Sequence, residues 1–242
     1  MLPPMQHLIF IKIVLVGFLF SVVLSSCLPS TDTAPYTGGL EMWEEPRHQL
    51  VFSKDNFKVM NVVIPAGDTC LFHIHRHPTI YVLLNGTKYS AQNWGKEWKS
   101  VLITDLAWAG MVQDMSEPYT KSKPDVKHRV TIPDDETYHL IAIVNMGKGV
   151  QNVEESGSLV NSPWFQEHRY EIAANQQSES IQLDYPAVLI QYTDGLSSVV
   201  ENGVEHSFKT VKGGLSWHEA NKPFTIVNKG ATEQKFVLMG LK

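Results

Sequence analysis

The chain has 242 residues, 43% of them hydrophobic and 19% charged, with 16 Gly and 13 Pro, a composition that excludes collagen-like and broadly disordered chains and permits a real core. Twenty basic against twenty-five acidic residues give a net charge of −5 with no basic block, which argues against a nucleic-acid partner. Two cysteines exclude a disulfide scaffold and a Cys-rich zinc or iron–sulfur framework, so a metal would have to be held by His and oxygen ligands.

The first 26 residues read as an export signal. Residues 1–12, MLPPMQHLIFIK, carry one full positive charge at Lys12, and the apolar run Ile13 to Leu24 follows before Ser25, Ser26 and Cys27. That run is shorter than the roughly 20 residues needed to cross a bilayer, which favours a secretory signal over a permanent span. Leu24-Ser25-Ser26-Cys27 resembles the lipobox of bacterial lipoproteins. The resemblance implies cleavage before Cys27 and acylation of that residue, whose several acyl chains would hold the protein on its membrane. Leu28 rather than Asp follows the Cys, which in the Gram-negative pattern implies the outer membrane, facing the periplasm. Residues 27–45, beginning CLPSTDTAPYTGG, are expected to be a tether, too polar and turn-rich to pack.

From residue 46 on, short runs such as FKVMNVVI, TIYVLL, HLIAIVN, AVLIQY, FTIVN and KFVLMGL alternate with Gly, Asn, Asp and Pro. This spacing predicts an all-β chain of sandwich or barrel type. The chain also repeats itself. His77 to Val82 matches Tyr185 to Ile190 at an offset of 108, Asn93 and Trp108 match Asn202 and Trp217 at 109, and His128 to Thr131 matches Phe224 to Val227 at 96. Two tandem β domains are expected, 46–149 and 164–242, with about 13 extra residues in the first copy between Trp108 and His128. A repeat of this length signals a duplicated domain rather than a solenoid.

The chemistry is concentrated between Gly67 and Gly86. His73 and His75, at i and i+2, point to one face of a strand and can share an ion. His128, on a later run, can complete a three-donor face. This stretch is similar to the first motif of the cupin superfamily, G(x)5HxH(x)3,4E(x)6G, with Gly67, His73, His75 and Gly86 in register and Thr79 in place of the Glu. The second motif, G(x)5PxG(x)2H(x)3N, is less well kept: His128 takes its His, Pro124 is one residue late, and Ile132 takes the Asn place. The resemblance implies a two-domain cupin in which His73, His75 and His128 ligate one divalent ion of iron, zinc or manganese. In the second copy the same positions are Ile181, Leu183 and Phe224, so the C-terminal domain is expected to bind none.

Three neutral imidazoles leave a divalent charge uncompensated and favour a small anionic ligand. Three-His cupins include the thiol dioxygenases, which also lack the motif Glu. Two functions follow: a metal-dependent oxygenase acting on a small anionic molecule, or a lipid-anchored cupin that binds a metal or ligand without turnover. Tyr81, Tyr138 and His139 are the candidates for proton transfer. His77 shares the parity of His73 and competes as a ligand, although Pro78 argues that the strand ends there. His139 competes with His128. Cys70 is expected to be a packed thiol, and Trp94, Trp98 and Trp108 to be hairpin packing. The insertion Ala109 to Lys127, which carries Lys121, Lys123 and Lys127, is expected to form a lid whose lysines draw an anion to the mouth of the first barrel.

Overall fold

The computed structural model describes residues 39–86, 88–102, 125–153, 158, 160–208 and 211–242 in full, and 112–114 as backbone. The export segment 1–26, Cys27, Trp108, Lys121 and Lys123 lie outside the described residues. No helix among the described residues is long and apolar enough to cross a membrane.

Ten strands come from the N-terminal half: β1 (Leu40–Glu41), β2 (His48–Lys54), β3 (Phe57–Ile64), β4 (His73–His75), β5 (Thr79–Asn85), β6 (Lys88–Asn93), β7 (Trp98–Leu102), β8 (Val112–Asp114), β9 (Val126–Thr131) and β10 (Tyr138–Asn145). They form two five-stranded sheets, ordered β1-β4-β9-β6-β7 and β2-β3-β10-β5-β8. The C-terminal half supplies β11 (Phe165–Ile172), β12 (Ala187–Gln191), β13 (Ser197–Glu201), β14 (Val204–Ser207), β15 (Leu215–His218), β16 (Phe224–Asn228) and β17 (Gln234–Leu241). These make a four-stranded sheet, β11-β17-β12-β15, and a three-stranded one, β14-β13-β16. The named strands of each half pair only with one another, so the all-β, tandem reading of the sequence is the observed architecture.

The strands that read as continuous apolar runs are buried on both faces. On β17, Phe236 and Leu238 point into the C-terminal core, while Val237, Met239 and Leu241 join a cluster shared with β3, β5 and β10. On β12, Ala187 and Leu189 divide from Val188 and Ile190 in the same way. The two halves are thus held together by a sheet-on-sheet apolar layer, in which each fully buried aliphatic side chain contributes about 1.5–3 kcal/mol.

Strand register repeats between the two halves. Pairs Phe57↔Asn145 through Ile64↔Tyr138 recur as Phe165↔Leu241 through Ile172↔Gln234, displaced by 108 positions on one strand and 96 on the other. The pair His73↔His128 recurs as the bridge Ile181↔Phe224, and Thr69↔Thr131 as Gln177↔Val227. Two sequence matches are corrected. Asn93 pairs with His128 where Glu201 pairs with Phe224, so Asn93 corresponds to Glu201 and not to Asn202. Val82 pairs with Val112 where Ile190 pairs with Leu215, so Trp217 corresponds to Asp114 and not to Trp108. Two tryptophans look alike in a sequence, but the hydrogen-bonded ladder decides which residues are equivalent.

The same register changes the expected lid. Val112–Asp114 adds an edge strand to β5, so the extra residues of the first copy fall on both sides of β8 rather than in one loop. Lys127 belongs to β9 and alternates with Val126 and His128, which places it on the opposite face from the cavity described below. The tether is also shorter than expected. Leu40–Glu41 pairs in parallel with His73–Ile74, and Met42 and Glu45 are each 1% exposed. The folded body includes these residues because Met42 packs into the N-terminal core and Glu45 accepts hydrogen bonds from the Arg47 and Leu71 amides.

Candidate metal centre

β4 is three residues long, and its pleat turns His73 and His75 to one side and Ile74 to the other. Both histidines are buried. β9 runs antiparallel beside it with His128 directly opposite His73, so a third ring enters the same space. The centroids of the three rings lie 4.6–4.9 Å apart, and one ligand nitrogen from each lies within 4.8 Å of the others. The motif glycines serve this local fold. Gly67 (φ +74°) and Gly86 (φ +104°) take left-handed backbone, and a Cβ on Gly86 would stand 2.6 Å from Cδ2 of Tyr138.

Hydrogen bonds fix how the rings point. His73 Nδ1 donates to the Leu71 carbonyl at 2.9 Å, which leaves its Nε2 lone pair facing His128 Nε2 at 3.1 Å. His75 Nδ1 contacts the Tyr81 hydroxyl at 3.1 Å, and its buried Nε2 has no partner among the described residues. Burial, reinforced by the neighbouring rings, lowers His73 to about 2 and holds His75 well below its ordinary value. Burial and the nearby His48 lower His128 to about 4. Three neutral imidazoles converging with an orphaned Nε2 fit a divalent cation, which would satisfy all three lone pairs at once. The donor set leaves further coordination positions open, as catalytic sites require. The contacts to Leu71 and Tyr81 are the outer partners that metal-binding histidines use to fix ring orientation.

These rings border an apolar cavity of about 230 Å³ between the two N-terminal sheets. Thr79, at the motif Glu position, also lines it and donates to the His77 carbonyl at 2.9 Å. Among the described lining residues there is no carboxylate. Tyr81 and Tyr138 both reach the cavity, and burial raises the Tyr138 phenol. Cys70 is the packed thiol expected, pushed up to about 11 by burial and accepting from the Val130 amide.

Two sequence candidates are corrected. His139 sits between Tyr138 and Leu140, which face the cavity, and therefore points to the other side of β10, where it bonds Asn61 at 2.7 Å. His77 lies past the end of β4 and stacks on Trp43 with ring centroids 6.2 Å apart. The hairpin role of Trp94 and Trp98 holds: Trp94 packs edge-on against Phe72, and Arg129 lies over Phe72 and Trp98.

Two lining residues escaped the sequence reading. His48 enters from β2, in the opposite sheet, with its ring 4.7 Å from that of His73. Its Nδ1 donates to the Met42 carbonyl at 2.6 Å, and Nε2 lies 3.9 Å from the buried Glu45 carboxylate. Tyr89 packs against Tyr138. Neither belongs to a motif, and a lone His opening an alternating strand carries no local signal for this position.

No protein-family model matches the sequence, and no curated protein matches it as a relative. Solved structures do match. AerE from Microcystis aeruginosa superimposes with a TM-score of 0.59 at 11% identity, over 79% of this chain and 90% of that one. The Bacillus subtilis oxalate decarboxylase, described for its Mn(II) centres, gives 0.52 at 9% identity over 78% and 70%. Vicilin from tomato, Solanum lycopersicum, gives 0.51 at 10% over 77% and 74%. At these identities the likeness concerns fold alone. The chain shares the all-β, two-domain fold of these structures, with a three-histidine cluster in its N-terminal half.

Proposed function

We propose that the N-terminal barrel is a mononuclear metal centre of oxygenase type, acting on a small anionic molecule, on a protein anchored through an acylated Cys27 to the periplasmic face of the outer membrane. The observation that carries this reading is the convergence of three neutral imidazoles, with no carboxylate among the described lining residues, on an apolar cavity of about 230 Å³. His73, His75 and His128 would hold the ion, whether iron, zinc or manganese. When bound, such an ion supplies Lewis acidity and, if it is iron, one-electron chemistry toward dioxygen.

The chain's own groups do the rest. The Leu71 carbonyl and Tyr81 orient the rings of His73 and His75. Tyr138 stays protonated and can donate a hydrogen bond to a ligand oxygen. Val62, Ile64, Val130 and Leu140 exclude water, which strengthens the attraction between a bound cation and an anion. A second reading, capture without turnover, is favoured by the engagement of Tyr81 with His75, which leaves His48 as the cavity imidazole outside the triad. Oxygen uptake by the iron-loaded protein, measured across small carboxylates and thiolates, separates the two. Uptake that is stoichiometric with product supports the oxygenase; tight anion binding without uptake supports capture.

A further inference from the structure

The C-terminal barrel has lost the three imidazoles, yet it holds a different polar constellation. Ser216 and His218 lie on one face of β15, opposite Leu189 and Ala187 of the C-terminal core. The Ser216 hydroxyl is 2.7 Å from His218 Nε2. His218 is 3% exposed, and its ring stacks on Phe224 at 3.7 Å. Its Nδ1 is buried with no hydrogen-bond partner among the described residues, and the nearest carboxylate oxygen, Glu201 Oε2, is 3.9 Å away. Glu201 is brought there because β13 pairs it with Phe224.

Ser216 also lines a cleft of about 500 Å³ whose other walls include Leu50, Phe52, Val199, Phe208 and Leu215. The order is hydroxyl at a cleft, buried imidazole behind it, carboxylate behind that. In the N-terminal barrel the register equivalent of Ser216 is Gln113, so this arrangement is particular to the second copy.

We propose that Ser216, His218 and Glu201 form an acyl-transfer site that hydrolyses esters of apolar acyl groups. Ser216 Oγ adds to the ester carbonyl carbon while His218 Nε2 takes its proton. The alkoxide leaves with that proton as an alcohol, and the acyl group remains on Ser216. A water molecule then attacks the acyl carbon, again losing a proton to His218, which returns it to Ser216 Oγ as the carboxylic acid departs. Ser216 is the nucleophile and His218 the base. Glu201, 3.9 Å from His218 Nδ1 and not hydrogen-bonded to it, is a positioning residue that faces the imidazolium as it forms and stabilises its charge. Burial lowers His218 to about 4, so its ring is unprotonated at neutral pH and able to accept. The cleft walls combine the apolar side chains named above with Gln49, Asn61, His206 and Ser207 and include no carboxylate, lysine or arginine among the described residues, which suits an uncharged ester.

The test uses the full chain with a small alkyl fluorophosphonate, read by intact mass and peptide mapping, and with p-nitrophenyl butyrate as substrate. One phosphonyl group should appear on Ser216, with labelling and hydrolysis lost in Ser216→Ala while circular dichroism and metal content stay unchanged. His218→Gln should slow labelling about 100-fold or more, and Glu201→Gln should lower kcat with KM unchanged. Chelation of metal should alter none of this, which separates the proposal from the reading of the N-terminal barrel. Absence of label on Ser216 in the folded protein, or ester hydrolysis at the original rate in Ser216→Ala, overturns it.

Discussion

At three equivalent positions the N-terminal barrel places His73, His75 and His128, and the C-terminal barrel places Ile181, Leu183 and Phe224. The pair His73↔His128 and the bridge Ile181↔Phe224 occupy equivalent places, so the backbone at this pair does not by itself separate a metal centre from a packed core. The contents do. Around the imidazoles the N-terminal sheets leave a cavity of about 230 Å³, while Phe208, Phe224 and Phe236 fill the C-terminal core. The first interior keeps polar groups whose lone pairs need a cation, and the second converts the same space into apolar burial. The three-imidazole site is therefore confined to one copy, while the other fills the equivalent space with apolar side chains and contributes to the layer that joins the halves.

Changes that attack this division should separate cleanly. Phe236→Ala empties the C-terminal core and should cost about 3–5 kcal/mol, seen as a lowered denaturant midpoint, while the metal content stays at its original value. Loss of metal in that variant would mean that the two barrels are not independent in function. A smaller effect is expected from Tyr81→Phe. It removes the oxygen that orients His75 and should weaken metal affinity about 10–100-fold, measured by competition with a chromogenic chelator, with little change in thermal midpoint.

The pH response has a definite sign. Only unprotonated imidazole binds metal, and the folded chain holds His128 near 4 and His73 near 2. Metal should therefore stay bound at about pH 5, where histidines of ordinary pKa, about 6.5, are already protonated. Without metal the unfolded chain takes up protons first, so stability should fall as pH drops from about 6.5 toward 4, by about 1.4 kcal/mol per pH unit for each such imidazole. Equilibrium unfolding of metal-free protein across that range checks the slope. The smallest effect belongs to Lys127→Ala, which should leave metal content and anion affinity unchanged, because Lys127 alternates with His128 on β9 and points away from the cavity.

Much of this division was legible in the sequence because two signals coincide. An HxH pair has strand parity, and the internal repeat shows that all three ligand positions change together. The remainder depended on information that parity and motifs do not carry. His48 comes from the facing sheet and meets His73 only through packing. His139 sits one residue from Tyr138, and that single step turns it to the other side of the sheet. β1 lies in a segment whose Gly and Thr suggest a tether, yet its edge pairing with β4 and the burial of Met42 anchor it. β8 hides inside an insertion and shows itself only in the ladder with β5.

The central claim is that one divalent ion binds per chain, in the N-terminal barrel, through three imidazoles. Elemental analysis of tag-free protein, set beside His128→Ala and Phe224→Leu, tests it directly. The expected result is about one ion per chain in the original protein and in Phe224→Leu, and none in a His128→Ala protein that remains folded by circular dichroism. An unchanged metal content in folded His128→Ala would contradict the account.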